Sequence, residues 1–177
     1  MPDLIALAAK SSLAEFLESY DASKVDKVKP STGRTLLHAA VTNPDLAARV
    51  AIAEQLLDDG IDATATMRDP EDTVLHLLFA RPEHDWASET PLIVRLIEAG
   101  ADVDAKAGGV TPMVIFVEQG FASDPATDEL VEAILSRTTV DLSTLVSFEG
   151  HPKKTLGEYV LEQTGEDRPL HRAASPA

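Results

Sequence analysis

Apolar residues recur along this chain at helical spacing, and three stretches share one register. Ile52, Ala53, Leu56 and Leu57 form the first set, Leu92, Ile93, Leu96 and Ile97 the second, and Leu130, Val131, Ile134 and Leu135 the third. Positions i, i+1, i+4 and i+5 lie along one stripe of a helix. The first two sets end on Gly60 and Gly100, where a left-handed residue stops a helix. Each stripe follows a shorter apolar run: Leu36 to Val41, Val74 to Ala80, and Met113 to Val117. The pattern predicts pairs of helices, a short one and then a longer one.

The short runs open alike. Gly33-Arg34-Thr35-Leu36-Leu37-His38-Ala39-Ala40 is echoed by Asp72-Thr73-Val74-Leu75-His76-Leu77-Leu78, and again by Gly109-Val110-Thr111-Pro112-Met113-Val114. Thr35, Thr73 and Thr111 stand 38 residues apart, and Gly60 and Gly100 stand 40 apart. Two signatures alternating at one period indicate a repeat architecture. Asn43-Pro44 and Asp124-Pro125 each read as a cap followed by proline at the first helical position.

Residues 3–20 read as two shorter helices, built on Leu4, Ile5, Leu7 and Ala8 and then on Leu13, Phe16 and Leu17. They suit a terminal unit, which must meet water on one face. Thr155 to Tyr159 restarts a helix in a last, incomplete unit that ends near Gln163. Units are expected at about 3–30, 31–70, 71–108, 109–146 and 147–163, followed by a polar tail, 164–177, expected to be disordered.

These residues resemble the ankyrin-repeat family. Its pattern is Gly-x-Thr-Pro-Leu-His-x-Ala, then a second helix ending Leu-Leu-x-x-Gly-Ala-Asp-Val-Asn-Ala. The segment Gly33 to Ala40 lacks only the proline, and Glu98-Ala99-Gly100-Ala101-Asp102-Val103-Asp104-Ala105 nearly repeats the ending, with Asp104 for asparagine. Val114 replaces the histidine in the third unit. The family period is 33, and the surplus here falls at Thr42–Ala47, Arg81–Thr90 and Gln119–Asp128. The resemblance covers about residues 3–163. It implies an all-α solenoid of stacked antiparallel helix pairs, with hairpin-like fingers near Lys24–Thr32, Ala63–Glu71, Asp104–Gly108 and Phe148–Lys153. It also implies protein binding through the fingers and the concave face, with no common catalytic site.

Composition narrows the partner. Thirty acids oppose fifteen bases among 177 residues, a net charge of −15. Nucleic acid would be repelled, whereas a basic protein would be attracted. There is no cysteine, so disulfides, thiolate metal sites and thiol nucleophiles are excluded. No apolar run approaches the ~20 residues of a membrane helix. The expectation is a soluble, cytoplasmic monomer without membrane contact, metal or cofactor.

Candidate chemistry changes this picture little. His38 and His76 hold equivalent places and invite a metal reading, but no third histidine or cysteine joins them. The resemblance implies instead that each bonds the threonine of its own unit and neighbouring carbonyl groups. No Gly-x-Ser-x-Gly, phosphate loop or His-Glu-x-x-His is present. Trp86, the only tryptophan, lies beside His84 in the longest link, and Phe121 lies in the equivalent link of the next unit. Tryptophan is enriched at binding hot spots, and inserted links often form a binding face. The simpler reading is that Trp86 packs over its own helix. Six of seven lysines, Lys29 and Lys106 among them, fall in connectors. Partner contacts are therefore expected at Trp86, His84 and Phe121 on the link edge, or at Lys29, Arg68 and Lys106 on the fingers. The repeat framework rests on Thr35, His38, Gly60, Thr73, His76, Gly100 and Thr111. The function expected is a non-enzymatic adaptor or inhibitor holding one protein. The alternatives are an immunity- or antitoxin-like neutraliser of a basic protein and, from another class, a small enzyme on a helical-repeat scaffold.

Overall fold

Four short helices each begin on a threonine. In the computed structural model, which describes residues 3–146 and 153–175, Thr35, Thr73, Thr111 and Thr155 are N-caps whose side chains accept the backbone N–H three residues on. His38, His76 and Glu158 complete reciprocal capping boxes by accepting the cap's own N–H. Val114 has no acceptor, and there Pro112 presets the first turn instead.

The chain is mostly helical. The N-terminal pair is α1 (Leu4–Ala8) and α2 (Leu13–Leu17). Next come α3 (Leu36–Ala40) with α4 (Leu46–Asp58), α5 (Val74–Phe79) with α6 (Trp86–Glu98), and α7 (Pro112–Glu118) with α8 (Asp128–Arg137). Two further helices, α9 (Leu156–Gln163) and α10 (Pro169–Ala174), close the described chain. Helices of five to seven residues do not hold alone in water; packing holds them. α1, α3, α5 and α7 touch in sequence to form one row, while α2, α4, α6, α8 and α10 form the other. Between the rows lies a continuous apolar core from Leu4 to Leu170.

Gly60 and Gly100 end α4 and α6 with φ of 85° and 99°. The N–H of the next residue, Ile61 or Ala101, returns to the carbonyl of Leu56 or Leu96, which is the Schellman closure. Each connector then opens on an aspartate. The carboxylates of Asp21, Asp62, Asp102 and Asp141 each accept the N–H two residues on. Short ribbons follow. β1 (Val28–Lys29) pairs antiparallel with β2 (Arg34–Thr35), and β3 (Leu145–Val146) with β4 (Lys154–Thr155). In the third connector Ala107 bridges Val110. Of the expected turn at 148–153, residues 148–152 lie outside the described residues.

An expected cap and an expected disordered tail are corrected, and the long link takes a definite form. Asn43 does not cap α4; Asp45 does, accepting the Ala48 N–H. Asn43 is fully buried and donates to the carbonyls of Ala8 and Ser11 at 3.1 and 2.9 Å, tying two units together. The long link at 81–90 is half helix, because α6 already starts at Trp86 and accommodates Pro91 in its second turn. The tail is not disordered over its described part: α10 packs on α8 and α9, and Leu170 is fully buried. Arg168 pairs with Asp128 at 2.9 Å and also donates to the Asp124 carbonyl. A segment that looks polar in sequence is ordered because one leucine and one arginine find partners on the preceding unit.

Candidate functional site

The link residues converge, but inward. His84 stacks on Trp86 with ring centroids 4.1 Å apart, and Phe121 meets both edge-on at 4.8 and 5.0 Å. Phe116 of α7 closes the cluster against Trp86 at 6.0 Å. Trp86 is 8% exposed, the His84 side chain 2% exposed, and Phe121 half-buried. The expectation of a link edge presenting Trp86 and His84 to a partner is corrected: these rings pack the seam between two units.

Behind them lies a buried charge cluster that the motifs did not flag. Arg49 Nη1 donates to Glu89 Oε1 at 2.7 Å, and both side chains are sealed from solvent. Arg49 also donates to the carbonyls of Asn43 and Glu83. The other carboxylate oxygen, Glu89 Oε2, meets His84 Nδ1 at 2.8 Å and accepts the Asp85 N–H. His84 Nε2 faces the Arg81 carbonyl at 3.0 Å. Both ring nitrogens thus meet acceptors, and both bonds form together only when each nitrogen carries a proton. Burial pushes the Glu89 carboxyl up, but hydrogen bonds from His84 and Arg49 outweigh it and hold the group below its ordinary value. A signal for this cluster was in the sequence. Arg49 stands three, four and seven residues before Ile52, Ala53 and Leu56, and Glu89 holds the same place before Leu92, Ile93 and Leu96. Both lie on a core stripe.

His38 and His76 serve their own units. Each Nδ1 lies 2.8 Å from its threonine hydroxyl, and His76 Nε2 reaches the Val110 carbonyl at 3.1 Å. His38 Nε2 has no such partner. The carbonyls of Asp72 and Ala65 lie near the ring without a well-directed bond. Burial, aided by the Arg34 charge, outweighs them and holds the His38 pKa down at about 4.

The connectors carry the exposed features. Lys29, Arg68 and Lys106 are all exposed there. Arg68 donates to the Pro30 carbonyl at 2.9 Å, and its backbone N–H to Thr32, so the first two connectors are joined. Large apolar side chains are exposed on connectors at Val28 (40%), Val110 (38%) and Leu145 (65%), and on α2 at Leu17 (42%). Val28 pairs with the cap Thr35, Leu145 with the cap Thr155, and Val110 precedes the cap Thr111. Val28 and Leu145 hold corresponding places, each opposite a helix cap, and Val110 holds the place of Arg34, beside its cap. The helix caps alone did not single them out.

No protein-family model matches the chain, and no curated protein matches it. Solved structures do share its architecture. One is the crystal structure of a functionally unknown protein from Leptotrichia buccalis C-1013-b, with a TM-score of 0.68 over 97% of this chain and 91% of that one, at 20% identity. At that identity the likeness concerns the fold. Among the described residues no helix is long and apolar enough to cross a membrane.

Proposed function

We propose that this chain is an ankyrin-type solenoid that holds one protein partner along its connector edge, without catalysis. The observation that carries this reading is the set of exposed apolar residues on three connector ribbons: Val28, Val110 and Leu145. Single exposed apolar residues are common and mean little. Here they recur on the ribbons of three connectors, stiffened by strand or bridge pairing and by aspartate turns. A pre-organised edge loses little conformational freedom on binding. Exposed Lys29, Arg68 and Lys106 supply a polar rim beside it.

The test is capture from the native lysate by the parent chain and by a Val28→Ser/Val110→Ser/Leu145→Ser variant of unchanged stability. The expected outcome is one stoichiometric protein held by the parent and released by the variant. Equal capture by both chains, or none by the parent, overturns the reading.

A further inference from the structure

A cleft of ≈ 190 Å³ opens beside the first ribbon, lined by Val25, Asp26, Val28, Ile61 and Asp62, with Thr35 and Ala65 completing it. We infer that it seats the side chain of an arginine or lysine from a basic protein partner; this rests on the partner-binding reading above and gives that partner its chemistry.

Size selects a side chain. Small-molecule sites occupy roughly 300–1,000 Å³, more than this cleft provides. The lining suits a long basic residue, because Val25, Val28 and Ile61 offer apolar wall to a methylene stem while Asp26 and Asp62 add two carboxylates to the same cleft. Arginine and lysine bury such stems and keep the charged head among polar groups.

Charge points the same way. Along the second helix row, several acids are already matched: Arg95 pairs with Glu54 and Asp58, Arg137 with Glu98, Arg168 with Asp128, and Arg172 with Glu132. Among the described residues neither Asp26 nor Asp62 has a cation within ion-pair distance. The nearby lysines do not fill the gap. Lys24 is held by Asp21 and the Ser19 carbonyl, and neither Lys27 nor Lys29 lines the cleft. In a chain of net charge −15, two unmatched carboxylates facing an apolar slot attract a cation from outside.

The cleft is preformed. Val28 is fixed by its pairing with Thr35. Ile61 is fixed by the closure onto Leu56. Asp62 is oriented by the backbone N–H and hydroxyl of Thr64 at 2.8 and 2.7 Å. Those bonds leave its second carboxylate oxygen for a ligand, and they hold the group in its charged form, with a pKa below the ordinary value.

The test is an amide-resolved NMR titration of the full chain with N-acetyl-arginine methylamide, and with N-acetyl-norleucine methylamide as the uncharged counterpart. Saturable shifts confined to residues 25–28 and 61–65 are expected with the arginine probe and not with norleucine. An Asp26→Asn/Asp62→Asn variant should bind at least tenfold more weakly. Asparagine keeps the turn-forming carbonyl at position 62, so the fold is retained. A Glu18→Gln/Glu129→Gln variant, which removes equal charge elsewhere, should bind as the parent does. Shifts scattered over the acidic surface, equal response to norleucine, or equal loss in the control variant would overturn the inference. A captured partner that holds the Asp26→Asn/Asp62→Asn variant as tightly as the parent removes the cleft but leaves the edge reading. An arginine probe seated in the cleft, with no partner captured, does the reverse.

Discussion

Arg49 and Glu89 meet at 2.7 Å with their side chains 1% and 0% exposed, and they hold the same helical position in successive units. The third unit fills that place with Thr127, also fully buried, whose hydroxyl donates to the carbonyls of Phe121 and Asp124. Three successive units therefore carry a buried polar post at this place, each satisfied differently.

The pair makes a sharp prediction. Replacing Glu89 with leucine strands a buried guanidinium, and breaking such a pair costs about 3–5 kcal/mol. Adding Arg49→Met removes the orphan charge and should recover most of that loss. Urea midpoints of the single and double variants, at unchanged slope, check it. A double variant no more stable than Glu89→Leu alone would count against the assignment.

Trp86 packs a seam, so its loss should act on stability. Truncation of a buried tryptophan to alanine costs about 3–5 kcal/mol, and Trp86→Phe should cost much less, because a ring remains between His84 and Phe121. Thermal unfolding of both variants measures the difference. A stable Trp86→Ala chain would reinstate the surface reading.

Stability should fall in acid partly through His38. Its folded pKa is held at about 4, below the ~6.5 of an unfolded histidine. The unfolded chain therefore binds the extra proton first. The contribution is complete above pH ~6.5 and declines as pH falls toward 4, where the loss approaches about 3 kcal/mol. His38→Gln keeps an N3 acceptor for the capping box but does not titrate. Its stability should vary less than the parent's between pH 6.5 and 4. Parallel curves for the two chains would refute the prediction.

The C-terminal helix should matter to the whole stack. Removing residues 164–177 exposes the surfaces of α8 and α9 that α10 covers and deletes fully buried Leu170. Loss of a buried leucine side chain alone is worth about 2–5 kcal/mol. A lowered unfolding midpoint is expected, with amide exchange accelerated first in α8. An unchanged midpoint would restore the expectation of a disordered tail.

Much of the helical plan was legible because it is local. A stripe at i, i+1, i+4 and i+5 specifies a helix whatever surrounds it, and Gly60 and Gly100 supply a left-handed φ that residues with a Cβ rarely adopt. Threonine at four helix starts works the same way, through a bond spanning three residues. The candidate site was less legible. Lys29, Arg68 and Lys106 stand exposed on connectors, where the sequence put them, but Trp86 and His84 turned inward.

By itself, then, the sequence determined where the first-row helices start, where the second-row helices stop and which stripe each one buries, since these depend on neighbours within one or two turns. Only the tertiary structure decided the fate of residues outside the stripes. Asn43 became a tie to Ala8 and Ser11, Trp86 a seam residue, Leu170 part of the core, and Asp26 and Asp62 part of one cleft. Each of these outcomes depends on contact with another unit, roughly 30 to 40 residues away for most of them, and no local pattern records whether a polar or aromatic side chain meets water or the next layer of the stack.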